Sequence, residues 1–252
     1  MVELNNATTG TFSLAGDRQF AMADENGRFV NGKRTGEVYM LQTTYDPELT
    51  SVTFASEDQS ETFDLRQGNP QLDDFISDFF GLKLRLIENK EGQLQDDPVI
   101  SSISVIGQSS LQTIMDDLQL PSLEDTRLRF RSNIELSGVE AFWEDQLYDQ
   151  RDVGVRFRIG DVELVGVSPR ARCSVPPKDP TSGQLDKTFM KAMMESRAKH
   201  LPENSTLDQF GGNLYYLAVD SYLSPAEIGK TIRLQDEVEI LGKTKLDQRT
   251  FG

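Results

Sequence analysis

The stretch Val155-Arg156-Phe157-Arg158-Ile159-Gly160-Asp161-Val162-Glu163-Leu164-Val165-Gly166-Val167 decides the fold class. Apolar Val155, Phe157 and Ile159 alternate with Arg156 and Arg158, the two-residue period of a strand with one buried face. Gly160-Asp161 supplies a turn, and a second strand runs through Val162–Val167. The same period recurs upstream. Phe20 and Met22 lead into a turn at Asp24-Glu25-Asn26-Gly27 and back through Arg28-Phe29-Val30. Further strands are expected at Glu37–Thr44, Ser51–Ala55, Thr62–Leu65, Lys83–Glu88, Asn213–Val219 and Thr231–Leu241. Leu128 and Phe130, alternating with Arg127, Arg129 and Arg131, read as one more, with the arginines on a single face.

About three helices interrupt these strands. Asn69 can cap the first, Pro70 suits its first position, and Leu72, Phe75, Ile76 and Phe79 form one apolar face before Gly81. The second starts near Ser109 or Ser110 and carries Leu111, Ile114, Met115 and Leu118; the third fits Asp186–Leu201, ahead of Pro202. Many short strands without βαβ alternation imply a mainly β (α+β) protein built of β-barrels with helical decoration. The polar run Asn89–Asp97 before Pro98 marks a seam, dividing residues 1–92 from 93–252.

Composition narrows the function classes. Lys plus Arg number 26 against 41 Asp plus Glu, a net charge of −15. Such a surface repels nucleic acid phosphates and anionic lipid, so neither nucleic acid nor membrane is an expected partner. The single Cys excludes an intramolecular disulfide and suggests a reducing compartment. With one His, a Ser-His-Asp triad would have to rest on His200, and multi-His metal sites are impossible. Met1–Gly10 lacks a signal pattern and no apolar run has the length of a membrane span, so a soluble, cytoplasmic protein is expected.

Chemistry concentrates in Ser168-Pro169-Arg170-Ala171-Arg172-Cys173-Ser174-Val175-Pro176-Pro177-Lys178-Asp179-Pro180. The only thiol follows a strand, between arginines and a proline-stiffened loop. Neighbouring guanidinium charge favours a thiolate, the form that binds metals. Spacing alone leaves a packed structural Cys the commoner role. The row Arg127, Arg129, Arg131 suits phosphate recognition, although cross-strand ion pairs are the commoner use of any one arginine. Asp17-Arg18 reads equally as a surface ion pair. Met190, Met193 and Met194 read as packing, Trp143 as a core anchor, and Gly211-Gly212 as a turn.

Taken together, several motifs carry a resemblance. Phe130-Arg131-Ser132-Asn133-Ile134, the pair Glu144-Asp145, Ile159-Gly160-Asp161-Val162, and Arg172-Cys173 through Asp179-Pro180 with Gly183 follow the order and spacing of the MOSC domain, the C-terminal domain of molybdenum cofactor sulfurase. Phe210-Gly211 and Thr231-Ile232 to Asp236-Glu237-Val238 fit its end. Upstream, Gly16-Asp17-Arg18 and Asp24 to Phe29 resemble the N-terminal β-barrel that precedes MOSC in many proteins. The first strand of that barrel has no match, so the resemblance implies a smaller, N-terminally truncated barrel with an unpaired edge beside the Asp17–Ala23 strand. Gly107, Ser132, Ala171 and Gln235 also depart from common family residues.

The resemblance implies a pyranopterin molybdenum cofactor (molybdopterin) in a cleft between the two domains. It is similar to the amidoxime-reducing component family, whose members reduce N-hydroxylated compounds. On that likeness Cys173 is the molybdenum ligand and catalytic residue, Arg131 and Asn133 contact the cofactor, Arg18 holds its terminal phosphate, and Arg172 supports the ligand. An oxidoreductase acting on a small-molecule substrate is implied. With no cysteine-rich ferredoxin module in the chain, a separate electron-donor protein is implied too. A non-catalytic cofactor or sulfur carrier, with a persulfide on Cys173, is the alternative, and a degenerate barrel without cofactor is a third. Pyridoxal phosphate binding is a further family-level expectation.

Overall fold

The computed structural model describes residues 7–10, 13–66, 68–91, 94, 103–201, 207–210 and 212–246. Its first part contains β1 (Ala7–Thr8), β2 (Phe20–Asp24), β3 (Phe29–Val30), β4 (Gln42–Tyr45), β5 (Ser51–Ala55), β6 (Ser60–Asp64), α1 (Pro70–Phe80) and β7 (Leu84–Glu88). These form two antiparallel three-stranded sheets, ordered β3-β2-β7 and β4-β5-β6. Helix α1 closes over them. The Asn69 carboxamide accepts from the amides of Gln71 and Leu72, Pro70 opens the helix, and Gly81 ends it at φ 59°. Leu72, Ile76 and Phe80 are buried against Val52, Phe54, Phe63 and Leu84, the core of this part.

β7 pairs along the whole of one side of β2, whereas on the other side β3 pairs only Met22 and Ala23, so among the described residues the Phe20–Ala21 end of that edge carries no strand. Val2–Asn5, the alternative partner for that edge, lie outside the described residues. The expected Glu37–Thr44 strand is shorter, since Glu37–Met40 is a single 3₁₀ turn and pairing begins at Gln42. The Thr35 hydroxyl accepts the Glu37 amide at 3.2 Å, a local side-chain contact that draws the backbone out of the extended form. Most of the expected 89–97 seam lies outside the described residues; within it, the amides of Asn89 and Leu94 donate to the Gln19 and Arg18 carbonyls.

The second part contains β8 (Ile103–Gly107), α2 (Gln108–Leu118), α3 (Leu123–Phe130), β9 (Ile134–Leu136), β10 (Tyr148–Gln150), β11 (Val153–Ile159), β12 (Val162–Ala171), α4 (Phe189–Lys199), β13 (Tyr216–Leu223), β14 (Thr231–Ile232) and β15 (Val238–Lys245). A seven-stranded sheet runs β10-β11-β12-β13-β8-β9, with β15 also paired to β11. Only β8-β9 among its ladders is parallel. The opening stretch behaves as its period requires. Val155, Phe157 and Ile159 are buried, while Arg156 and Arg158 face outward to Glu163 and Glu239. The expected strand at 231–241 is broken by a turn in which Gln235 takes φ 71°. On one side of the sheet α2, α3 and α4 gather Ile106, Leu111, Ile114, Phe130, Phe189 and Met193 into a second core.

Helix α3 corrects the sequence reading, which expected a strand there and about three helices; the described residues contain four α-helices. Ser122 caps it by accepting the Asp125 amide, Glu124 and Asp125 sit in its positive first turn, and Arg127 and Arg129 sit in its negative last turn. Capping and charge placement outweigh the two-residue alternation. Arg127, Arg129 and Arg131 therefore do not share a face, because successive alternate positions on a helix lie roughly 200° apart.

Candidate functional site around Cys173

Strand β12 carries the chain to Ala171, so Arg172 and Cys173 emerge just past its end. The loop that follows is fixed from below. Arg129, buried on α3, is paired with Asp125 at 2.7 Å and donates to the carbonyls of Pro176 and Lys178 at 3.0 and 2.9 Å. The Tyr215 hydroxyl donates to the Cys173 carbonyl at 3.2 Å. Backbone and side chains thus hold Cys173 still while its thiol stays partly accessible.

Arg172 turns inward. Its guanidinium donates to the Phe130 carbonyl at 3.0 Å and to the Leu217 carbonyl, and lies 5.2 Å from the Phe130 ring centroid. Its Nε is buried with no partner among the described residues. Burial first, and then the Arg170 charge, push its pKa down to about 9, so it remains a cation at neutral pH. Arg172 locks the end of α3 to β13 directly behind the cysteine.

Arg131 ends α3 in the left-handed region, at φ 48°, with its amide donating to the Arg127 carbonyl at 2.7 Å. This backbone flip is what separates Arg131 from the other two arginines. Its guanidinium makes no hydrogen bond or ion pair among the described residues. It is exposed, yet desolvation lowers its pKa. Cys173 and Tyr39 pull its pKa back up, and Arg18 and Arg170 add to the lowering, so these groups share one electrostatic neighbourhood.

Arg131 thus lies within electrostatic range of Arg18, Cys173 and Arg172. Asn133 is near but occupied: its Oδ1 accepts the Ser104 amide and hydroxyl at 3.0 and 2.8 Å, and its Nδ2 donates to Asp17 at 3.1 Å. Asp17 also pairs with Arg18 at 2.9 Å and accepts the Ser13 hydroxyl at 2.8 Å. Asn133 thus orients Asp17 and, through it, Arg18.

Arg170, one of the two arginines the sequence set beside the cysteine, pairs with Asp220. One residue escaped the sequence reading. Tyr39 comes from the first part of the chain, with a buried hydroxyl that has no partner among the described residues. A lone tyrosine in an expected strand carries no signal. His200 does not form a triad: Asp117 sits between it and Ser196, accepting from both, at 3.2 and 2.6 Å. A triad needs the imidazole in the middle. Among the described residues no three His, Cys, Asp or Glu side chains converge as a metal site. A pocket of about 700 Å³ lies elsewhere, between the β2–β3 turn and the start of α1.

Residues 99–239, from before β8 into β15, match the family model of the MOSC domain. The chain belongs to the MOSC family. The matched segment contains Arg131, Asn133, Arg172 and Cys173, whereas Arg18 and Tyr39 lie outside it. Across 268 aligned positions the chain is 22% identical to a molybdenum cofactor sulfurase from Homo sapiens, covering 86% of this chain. The chain spans 28% of that relative's length. Arg18 and Tyr39 join the MOSC segment from residues that precede it, Arg18 through the Asp17–Asn133 bond and Tyr39 beside the Gly32–Lys178 bond.

Proposed function

We propose that this MOSC protein holds a molybdenum cofactor at Cys173 and works as an oxidoreductase on a small N-hydroxylated or related substrate. Family membership and the sulfurase relative support a molybdenum-cofactor-related function. One observation carries the finer reading: the Arg131 guanidinium, with no hydrogen-bond partner among the described residues, lies within electrostatic range of Cys173 and of the buried Tyr39 hydroxyl, itself unpartnered among the described residues. A site that keeps polar groups unsatisfied suits a polar ligand.

The residues fit the group. Cys173 is the one thiol, and among the described residues no three His, Cys, Asp or Glu side chains form a metal site, so a metal at Cys173 would bring other ligands with it, as a pterin dithiolene does. Cys173 Sγ would be the protein ligand. Arg131 and Arg18 would meet the phosphate and pterin oxygens, the bidentate recognition to which guanidinium is suited. Arg172 keeps the Cys173 backbone in register with α3 and β13. When bound, the cofactor supplies two-electron oxidation and reduction, and the protein positions it and shapes the substrate space. Reducing equivalents would come from a separate electron-donor protein. The loop suits pyridoxal phosphate poorly, because Lys178 already donates to the Gly32 carbonyl.

A net charge of −15 argues against nucleic acid as a partner. Among the described residues no helix is long and apolar enough to cross a membrane. A cytoplasmic site of action agrees with the free thiol. The second reading, a cofactor or sulfur carrier without turnover, rests on the same partly accessible thiol, which can also hold a persulfide. Metal analysis of the purified protein, followed by turnover of a hydroxylamine-type substrate with a chemical reductant, tests the proposal. Stoichiometric molybdenum with turnover supports the oxidoreductase, molybdenum without turnover supports the cofactor carrier, and absence of molybdenum defeats both of these, leaving the sulfur carrier, which sulfane sulfur on Cys173 would show.

A further inference from the structure

The phenol of Tyr39 is held in place by glycines. A Cβ at Gly32 would overlap the Tyr39 hydroxyl, so only glycine lets the ring lie where it does. The carbonyl of that same Gly32 accepts from Lys178, on the loop after Cys173. At the other end of the segment, Gly183, at φ 69°, packs so closely on Gly36 that a Cβ would stand 2.5 Å from the Gly36 oxygen. Segment 32–36 is therefore clamped at both ends to loop 178–183, and the 3₁₀ turn at Glu37–Met40 presents Tyr39 from it.

The position has electrostatic consequences. Burial raises the Tyr39 pKa, Cys173 adds to the rise, and Arg131 and Arg129 oppose it. The phenol remains a neutral donor near pH 7, within electrostatic reach of both the thiol and Arg131. Its oxygen is buried and unpartnered among the described residues. A buried hydroxyl left unsatisfied costs about 1–3 kcal/mol, so a site that retains one gains from a ligand that accepts it.

From this we infer that Tyr39 is a ligand-positioning residue of the Cys173 site, contributed by the segment that precedes the MOSC match, and that its hydroxyl donates to an oxygen of the ligand lying between Cys173 and Arg131. The inference rests on the molybdenum-cofactor reading for the identity of that ligand. The acceptor is a phosphate, oxo or pterin carbonyl oxygen, because the phenol supplies a donor and Arg131 a matching positive charge. The MOSC segment alone would lack this donor.

The test is cofactor retention in chains purified from a host that makes molybdenum cofactor. Pterin is measured as its fluorescent oxidation product before and after extended dialysis, for wild type, Tyr39→Phe and Cys173→Ser. The phenylalanine variant removes only the oxygen. Expected is a loss of pterin roughly tenfold or more faster than in wild type, the effect of one hydrogen bond to a charged group, with no fall in the melting temperature of the cofactor-free chain. Loading should also move the ionisation of Tyr39, read as the wild-type minus Tyr39→Phe ultraviolet difference, to still higher pH. Equal retention by wild type and Tyr39→Phe overturns the role of Tyr39 and leaves the Cys173 reading standing. A lower melting temperature for cofactor-free Tyr39→Phe overturns it as well, by showing that the hydroxyl serves the fold. A wild-type chain that never carries pterin overturns the cofactor reading, and the inference falls with it.

Discussion

Asn133 and Asp17, 116 positions apart in sequence, are joined by one hydrogen bond from Nδ2 to Oδ2 at 3.1 Å. Because Asn133 also accepts the Ser104 amide and hydroxyl, it fastens the N-terminal segment to β8. Asn133→Ala strips three protein contacts at once and leaves the Ser104 amide and Asp17 short of a partner. Urea unfolding should show a loss of about 1–3 kcal/mol, the cost of orphaned part-buried polar groups. A variant with unchanged stability but weakened cofactor retention would instead return Asn133 to direct ligand contact.

Cys173→Ser changes one atom in a partly accessible side chain, so the melting curve should hardly move. A hydroxyl is not appreciably ionised near neutral pH and is a poor metal ligand. Turnover and the metal's spectroscopic signature should be lost, while some pterin persists through Arg131 and Arg18. A destabilised but fully active variant would end the ligand assignment.

Glu144 sits fully buried, bonded to the Ser110 hydroxyl at 2.7 Å, next to the Asp145–Arg197 pair. Burial pushes its pKa up to about 7 from 4.5, and the Asp145 charge adds to the rise. Asp145 is raised too, by burial and against the pull of Arg197. A raised carboxyl binds its proton more tightly when folded. The stabilisation is complete below about pH 4.5 and is lost as the pH climbs through about 7, by on the order of 3 kcal/mol for Glu144. Glu144→Gln keeps a neutral group in place, so chemical denaturation from pH 5 to 8.5 should show a flatter profile and a variant more stable than wild type at the alkaline end.

Gly183→Ala forces a Cβ against the Gly36 backbone at a left-handed position. The expected cost is about 1–3 kcal/mol of stability. Since this contact clamps the Tyr39 segment, the variant should also lose pterin faster than wild type, measured alongside Tyr39→Phe. Retention unchanged at full stability would show that the clamp does not matter.

How much of this was legible in the sequence depended on the range of the cause. The hairpin at 153–171 and helix α1 are written in local periodicity and caps, and they appear where expected. Cys173 was legible because it is the only thiol and stands beside two arginines. The α3 segment was misread because Arg127, Leu128, Arg129 and Phe130 alternate like a strand, while the deciding signals, the Ser122 cap and the Asp125–Arg129 pair, are worth more than the alternation. Arg127, Arg129 and Arg131 were read as sharing a strand face that does not exist, and Arg131 was singled out only by its place in the family motif; the helix ends at it in a left-handed turn. Tyr39 was invisible, since its place depends on Gly32, Gly36, Lys178 and Gly183, brought together by tertiary contacts that no local pattern encodes.

The β1–β14 pair has a temporal consequence. Thr9 receives its partners from Glu227 and Lys230, 218 and 221 positions later, through its hydroxyl and amide, and Ala7 pairs with Ile232. On a ribosome adding about 5–20 residues per second, that edge waits roughly 10–40 s for its complement. Contacts of such long range slow folding. Among the described residues the waiting strand is two residues long. A strand that short is a poor template for pairing with another nascent chain.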